Sequence, residues 1–350
     1  MTLESSEISR VLLLTAMAFV AAFAWTPLYL RLLQKWKVGK MIRSADEAPV
    51  FCMLHTKKIG TPTMGGVVIW ATVLVMAVAL SALAAAFPTS AFGYLNFLSR
   101  PETWLPLGVL VASAVVGFVD DYFNVRGIGA HGGGLRARHR LFIYTMIAVI
   151  GAWWFSIKLD WDLLHVPFVG DFQIGWWYAL FFILVIVATS FSVNETDGLD
   201  GLAGGTLFTS FGAFAVIAFA QGKYDLAAFC GVIIGALLAF LWFNIHPARF
   251  FLGDTGAMSL GVTLAVVALL TNAALLLPVI GIVFVLESLS VLIQIFWRKV
   301  FKKKLFLSAP FHHHLEASGW PEPQIVMRLW VVSMVAAAVG IALALMDALF

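Results

Sequence analysis

Long apolar stretches alternate with short polar connections along almost the whole chain. Most approach the 20 or so residues that a helix needs to cross a membrane, and none alternates apolar and polar positions as a transmembrane β-strand does. The pattern therefore predicts an all-α polytopic membrane protein, with about ten transmembrane helices in a single domain over residues 1–350. The predicted spans are 9–33, 64–87, 104–120, 141–158, 176–193, 203–221, 225–243, 256–271, 274–297 and 326–348.

The ninth predicted span differs from the others. It contains Pro278 and Gly281, which favour a bend or a break. It also carries Glu287 near its middle, where a carboxylate is costly and marks a candidate functional group. Only the pair Thr271 and Asn272 separates this span from the eighth.

The composition agrees with a membrane protein. Hydrophobic residues make up 61% of the chain and charged residues 12%, against roughly 25% charged residues in soluble domains. The remaining polar surface is too small to cover a water-soluble particle, which excludes soluble enzymes, disordered proteins and fibrous repeats. No nucleic-acid partner is expected. The two cysteines, Cys52 and Cys230, lack metal-ligand spacing and are expected to be free thiols.

The basic residues are distributed unevenly between the two sides of the predicted spans. Eighteen of the 22 lysines and arginines lie in or beside the loops that follow the first, third, fifth, seventh and ninth spans. By the positive-inside rule these loops lie in the cytoplasm. The distribution therefore predicts a multi-pass protein of the cytoplasmic membrane with both termini outside, and the unusual polar clusters fall on its cytoplasmic face.

The first polar cluster, at 55–66, combines Lys58 and Thr61 with several glycines. One interpretation is an ordinary helix start, with Thr61 as the capping residue and Pro62 in the first turn. The other is a phosphate site, formed by helix N-terminal amides, a lysine and glycines that permit close approach.

Two acidic clusters follow. Asp120 and Asp121 lie at the predicted end of the third span, where like charges and the helix dipole are both unfavourable. The segment 194–205 carries Asp197 and Asp200 between glycines, with no lysine or arginine within ten residues along the chain. Each cluster fits either a solvated helix end or turn, or carboxylates that need a divalent cation or a distant counter-charge.

Two further clusters complete the set. Asp254 stands just before a predicted helix, where it fits either a helix N-cap or a hard metal ligand. The run His312, His313 and His314 lies near three lysines. A zinc site there lacks the usual partners, and histidine donors to phosphate fit a basic loop better. Acids suited to Mg²⁺, bases suited to phosphate and glycine-rich helix starts on one face together indicate a diphosphate substrate, and a membrane-embedded scaffold indicates a lipid.

The motifs resemble those of the phospho-N-acetylmuramoyl-pentapeptide transferases, within the polyprenyl-phosphate N-acetylhexosamine-1-phosphate transferase superfamily. The resemblance covers about residues 55 to 330. The matching strings are GTPTMGG at 60–66, DDY at 120–122, NETDGLDGLAGG at 194–205, FLGDTGAMSLG at 251–261, ESLSVLIQ at 287–294, PFHHHLE at 310–316 and GWPEP at 319–323.

The resemblance implies a reaction at the bacterial cytoplasmic membrane. Undecaprenyl phosphate attacks the β-phosphate of UDP-MurNAc-pentapeptide, giving lipid I and UMP, with Mg²⁺ as the cofactor. It also implies a homodimer. Two alternatives stay open from the residues: a sister transferase that uses UDP-N-acetylglucosamine, and a polytopic transporter, for which the bent ninth span and its intramembrane acid are the motivation.

The resemblance also implies roles for individual residues. Asp254 is the expected Mg²⁺ ligand, and Asp120, supported by Asp121, is expected to accept a proton from the lipid phosphate or to orient it. His312 is expected at the diphosphate or sugar portion, as a catalytic residue. The expected substrate-binding residues are Lys58, Thr61, Asn194, Asp197, Asp200, Asn244, Phe251 (stacking on uracil), Gln294, His313 and His314.

Three positions depart from the family pattern. Asn124 stands where the family usually has a lysine after its DDY motif, and Arg140 takes the place of the later loop lysine. Glu195 occupies a position that is normally apolar. Because arginine and lysine are not interchangeable at sites of this kind, the electrostatics of the loop after Asp121 are expected to be particular to this chain.

Overall fold

The computed structural model describes residues 3–39, 58, 60–88, 90–98, 101–129, 133–159 and 161–349, and it confirms an all-α architecture. The helices are α1 Leu3–Lys35, α2 Gly66–Ala86, α3 Ala91–Leu95, α4 Pro101–Val125, α5 Ala137–Lys158, α6 Trp177–Thr196, α7 Leu202–Ala220, α8 Tyr224–Asn244, α9 Gly253–Leu270, α10 Leu277–Ile280, α11 Ile282–Phe301, α12 Phe311–Ala317 and α13 Glu322–Asp347. A short 3-10 turn, Ala274–Leu276, precedes α10.

The predicted number of spans is confirmed within the described residues. Nine helices are long and apolar enough to cross a membrane, and a bent pair makes ten if it is counted as one span. The pair consists of Ala274–Ile280 and Ile282–Phe301, which meet at 83°. Gly281 lies at the junction, so the break that the sequence predicted in the ninth span is present.

A β-hairpin between α5 and α6 was not predicted. Its strands, β1 Leu163–Val166 and β2 Gly170–Gln173, pair antiparallel. The apolar pattern does not reveal them because each has only four residues beside a long span. The hairpin lies at the end of the bundle away from the polar motifs, where the His165 ring nitrogens lie 2.7 Å from Asp171 Oδ1 and 2.5 Å from Asp347 Oδ2.

Helix α9 is the centre of the bundle. All of its residues except Asp254 are buried, and it packs most extensively against α4 and α6, while α1 packs mainly on α8. Asp254, in the first turn, is therefore the one side chain of this helix that is accessible from outside the bundle. Of the two cysteines, Cys230 is a buried free thiol on α8, and Cys52 lies outside the described residues.

Glycine allows α1 and α8 to approach each other closely. A Cβ atom at Gly235 would lie 2.1 Å from the Thr15 carbonyl oxygen on α1, a separation that two atoms cannot adopt without moving the backbone. Small residues at helix contacts serve this purpose in membrane proteins, where close packing replaces a hydrophobic driving force.

We expect Gly235→Ala to destabilise the fold, and Gly212→Ala serves as the matched control. Gly212 also lies inside a helix, but nothing stands within 4 Å of the Cβ it would gain. Alanine gains roughly 1 kcal/mol of helix propensity over glycine, so the control should unfold at the same or a higher temperature. Gly235→Ala should lower the unfolding temperature in detergent by several degrees. Equal temperatures for the two variants would contradict the close contact.

Candidate active site

The polar motifs of several distant segments meet at one end of the bundle. The ends of α4, α6 and α8 and the starts of α5, α7, α9 and α13 converge there, so hydrogen bonds join residues more than 100 positions apart, such as Lys58 and Asp200. Which side of the membrane this end faces stays a prediction. The acid cluster consists of Asp120, Asp121, Arg140, Asn194, Asp197 and Asp254. The lysine cluster consists of Lys58, Asp200, His246 and Glu322.

The adjacent residues Asp120 and Asp121 have different surroundings. Both are buried within α4, which continues to Val125, so the expectation that they end the helix is wrong. Asp121 Oδ2 accepts the Thr255 backbone N–H at 3.0 Å, at the start of α9. Asp120 Oδ1 accepts the Leu135 backbone N–H at 2.5 Å, while its buried Oδ2 accepts no hydrogen bond from the described residues and faces the Arg140 guanidinium. Asp121 thus anchors a helix start, and Asp120 directs one oxygen at a cation.

Arg140 links the carboxylates of two helices. Its Nε lies 3.2 Å from Asp120 Oδ2, and its Nη1 lies 3.3 Å from Asp254 Oδ1. The same Nη1 donates to Asn194 Oδ1 at 2.9 Å, and Asn194 Nδ2 donates to Asp254 Oδ1 at 2.6 Å. The arginine that departs from the family pattern therefore supplies the counter-charge between Asp120 and Asp254.

The turn into α9 is built around Gly253. Its φ of 74° lies in the left-handed region, and a Cβ atom there would stand 2.6 Å from Asp121 Oδ2. Its backbone N–H donates to Asp197 Oδ2 at 3.2 Å. Helix α9 begins at this glycine after Leu252 as its cap, so Asp254 lies in the first turn and the N-cap interpretation is wrong.

The lysine cluster lies beside the acid cluster on the 194–205 turn. Lys58 Nζ lies 2.7 Å from Asp200 Oδ1 and 2.5 Å from Glu322 Oε1. Asp200 Oδ2 also lies 2.9 Å from His246 Nδ1 and accepts the Ala248 backbone N–H at 3.1 Å. Burial raises the pKa of Asp200, but the Lys58 ammonium and these hydrogen bonds outweigh it and hold the pKa below its usual value.

Asp200, His246 and Glu322 have ligand atoms close enough to hold a metal ion. The Lys58 ammonium, however, already lies against both carboxylates, so a cation there would have to displace it. Sequence reasoning gave no role to His246 or Glu322. Glu322 lies inside the matching string at 319–323, whereas His246 lies in none of the matching strings. Their contact depends on three segments that are distant along the chain.

The first motif takes a different form from a capped helix. Helix α2 begins at Gly66, five residues after Thr61, so the interpretation of Thr61 as the cap with Pro62 in the first turn is wrong. The Thr61 backbone N–H donates to the Lys58 carbonyl at 3.1 Å. The segment instead docks on the loop before α9, where the Phe251 backbone N–H donates to the Pro62 carbonyl at 2.8 Å.

Phe251 and Asn244 differ in what they offer a ligand. The Phe251 ring is partly exposed and lies 5.8 Å from Lys58 Nζ. Asn244 is buried, and its amide accepts from the Gly201 backbone N–H at 2.9 Å and donates to the Phe250 carbonyl at 2.8 Å. Asn244 therefore joins two loops of the site, whereas Phe251 presents an aromatic face beside a cation.

The three histidines of α12 point to three different partners, as adjacent residues on a helix must. His312 Nδ1 lies 2.9 Å from Glu287 Oε2, and His313 Nδ1 lies 2.6 Å from Glu316 Oε2. His314 Nδ1 accepts the Leu307 backbone N–H at 3.2 Å. They do not converge on a common point, which agrees with the preference for phosphate over zinc.

Gln294, on α11, forms hydrogen bonds with the loop between α11 and α12. Its Oε1 accepts the backbone N–H groups of Leu305 and Phe306 at 3.0 Å each, and its Nε2 donates to the Phe306 carbonyl at 3.0 Å. Gln294 therefore holds the loop between α11 and α12 in place, next to His314.

Comparison with known proteins agrees with these motifs. Residues 103–272 match the glycosyl transferase family 4. The phospho-N-acetylmuramoyl-pentapeptide-transferase of Chloroflexus aggregans is 42% identical over 97% of this chain and 90% of its own length. The enzyme of the same name from Chloroflexus aurantiacus is 41% identical with the same coverage. That of Geobacillus thermodenitrificans is 40% identical over 95% of this chain and 97% of its own.

We expect Lys58→Met to lower the unfolding temperature at pH 7, with the exposed Lys35→Met as control. Because the pKa of Asp200 is lowered by folding, its ionised form stabilises the protein above the unfolded pKa of about 4. That contribution disappears as the pH falls through the lowered folded pKa. Thermal unfolding from pH 8 to pH 3 should show the gap between wild type and Lys58→Met narrowing below about pH 4. A gap independent of pH would contradict the ion pair.

Proposed function

The chain belongs to the phospho-N-acetylmuramoyl-pentapeptide-transferase family, and from that premise we propose its reaction. It transfers phospho-MurNAc-pentapeptide from UDP-MurNAc-pentapeptide to undecaprenyl phosphate, giving lipid I and UMP. The observation that carries the proposal is the juxtaposition of Asp120 and Asp254 around Arg140, next to a lysine and an aromatic ring at one end of a membrane-spanning bundle. The protein is a multi-pass protein of the bacterial cytoplasmic membrane.

The lysine cluster is the proposed nucleotide subsite. Phe251 offers a partly exposed ring for the uracil base, and Lys58 lies beside it with a charge suited to the diphosphate. Asp200 fixes Lys58 in this position. A diphosphate would compete with the carboxylates of Asp200 and Glu322 for the ammonium, so binding rearranges an existing ion-pair network instead of ordering a free side chain.

The acid cluster fits Mg²⁺. The carboxylates of Asp120 and Asp254 are the hard oxygen donors that Mg²⁺ prefers, and the Asn194 carboxamide lies against Asp254. Arg140 lies against both carboxylates, so Mg²⁺ bound there would displace its guanidinium from them. We propose that Asp254 is the principal ligand. Bound there, Mg²⁺ would neutralise charge on the diphosphate as UMP leaves.

Asp120 is the proposed contact for the lipid phosphate. Its Oδ2 faces Arg140, so the pair can hold an anionic group while Asp120 accepts a proton from it or orients it. A phosphate oxygen of undecaprenyl phosphate then forms the new bond to the β-phosphorus, and the bond from that phosphorus to UMP breaks. The homodimer implied by the resemblance is part of the same proposal.

The test is release of UMP from UDP-MurNAc-pentapeptide by protein in undecaprenyl phosphate-containing vesicles. We expect Asp254→Asn and Asp120→Asn to lower kcat by at least about a hundredfold, as for loss of a group that stabilises transition-state charge. Asp120→Asn should still bind the nucleotide in equilibrium titration. Wild-type turnover in Asp254→Asn would remove the metal assignment, and wild-type turnover in Asp120→Asn would remove its role toward the lipid phosphate.

The metal site has a test that needs no turnover. Arg140→Ala leaves Asp120 and Asp254 without their shared cation, so its unfolding temperature in EDTA should fall below that of wild type. Added Mg²⁺ should then raise the unfolding temperature of Arg140→Ala more than that of wild type, and Asp254→Asn should abolish the response. Arg138→Ala, an exposed neighbour on α5, controls for loss of charge. Equal responses of all four proteins would place Mg²⁺ elsewhere.

A further inference from the structure

Glu287 is a fully buried carboxylate on α11 that lies against His312. Its side chain and that of His312 are both inaccessible to solvent. A carboxylate is costly at such a position unless it is paired and hydrogen-bonded. The sequence places Glu287 in the middle of a span, whereas the contact with His312 brings it to the histidine segment.

Two contacts join Glu287 to His312, one to its backbone and one to its ring. Oε2 accepts the His312 backbone N–H at 3.2 Å and lies 2.9 Å from the ring nitrogen Nδ1. An ionised carboxylate has no proton to donate, so with Glu287 ionised the proton of the second bond lies on Nδ1. A carboxylate that holds a histidine in one tautomer in this way orients the other nitrogen for chemistry.

The other nitrogen, Nε2, points at the acidic turn. It is buried and has no hydrogen-bond partner among the residues that the structure describes. A Cβ atom at Gly198 would stand 2.1 Å from it, so the ring lies directly on the backbone of this residue. Gly198 stands between the metal-side Asp197 and the nucleotide-side Asp200. Nε2 is therefore directed at the point where the two clusters meet.

We propose that Glu287 is a positioning residue for the transferase reaction. It fixes the ring orientation of His312 and keeps the proton on Nδ1, so that Nε2 stays against Gly198 on the turn that carries Asp197 and Asp200. This inference rests on the proposed function. The proposal gives a reason for the acid in the bent span. The break at Gly281 sets the direction of α11, which carries Glu287 to α12.

A purely structural alternative exists, because the backbone hydrogen bond alone would tie α12 to α11. Glu287→Gln separates the two, since an amide oxygen can still accept the backbone N–H, but a neutral acceptor holds the Nδ1 proton less strongly than a carboxylate does. We expect kcat to fall by about 10- to 100-fold, the usual effect of losing such an orienting partner. KM for UDP-MurNAc-pentapeptide should stay within about twofold.

The experiment combines kinetics with ¹⁵N NMR of histidine-labelled protein, the His312 signals being assigned from a His312→Asn sample. Wild type should show a protonated Nδ1 at His312, and Glu287→Gln should show a smaller fraction of that tautomer. Ser288→Ala is the matched control, because it removes the neighbouring bond to Ser192 at 2.9 Å but touches neither His312 nor the turn. It should leave both readouts unchanged.

Unchanged kcat or an unchanged tautomer in Glu287→Gln would overturn the proposal. If that variant does not fold, Glu287→Asp decides instead, since the restored charge should preserve the tautomer with a partial loss of kcat, and loss of the tautomer would count against the proposal. The NMR readout needs no turnover, so failure of wild type to release UMP would refute the proposed function while the pairing of Glu287 with His312 is still measured.

Discussion

Compensation of buried negative charge is the constraint on which the site depends. Several carboxylates meet at one end of a bundle of apolar helices, in a low-dielectric setting where an unpaired charge is very costly. The Arg140 guanidinium lies between Asp120 and Asp254, and backbone N–H groups take up further oxygens. The helix starts and turns around the cluster supply those N–H groups, so the fold itself compensates part of the negative charge.

The same compensation makes the site responsive to ligands. Lys58 is held by two carboxylates, and Arg140 is held by two others, so each base is already positioned yet bound only by partners that a diphosphate or a divalent cation can replace. Preorganised charges of this kind do not have to reorient when charge develops during reaction. The proposed pairing of Glu287 with His312 is also preorganised, but there the carboxylate positions a proton on a histidine ring instead of a cation.

Much of the fold could be predicted because a span leaves a strong local pattern. Ten apolar stretches, and a break near Gly281, follow from the length and content of contiguous segments. The hairpin at Leu163–Val166 was missed because four-residue strands leave almost no such pattern. The helix start assigned to Thr61 was wrong because docking on the Phe251 segment delays α2 to Gly66.

The site was predictable in its residues but not in its connections. Motif strings indicated Asp120 and Asp254, whereas the link through Arg140 depends on a contact 114 positions apart along the chain. The contacts of Glu322 with Lys58 and of Glu287 with His312 could not be predicted either, since no local spacing indicates them. Long-range packing decides which carboxylate is a ligand, which is a helix anchor and which orients a histidine.

The central claim is that this charge-compensated site transfers a phospho-sugar to a lipid phosphate. The most direct measurement offers purified protein in undecaprenyl phosphate vesicles either UDP-MurNAc-pentapeptide or UDP-N-acetylglucosamine, with Mg²⁺, and follows UMP and the lipid-linked product together. The account predicts that UDP-MurNAc-pentapeptide gives UMP and the lipid-linked product in equal amounts, and that UDP-N-acetylglucosamine gives neither. Transfer from UDP-N-acetylglucosamine, or movement of solute across the vesicle membrane without UMP, would contradict it.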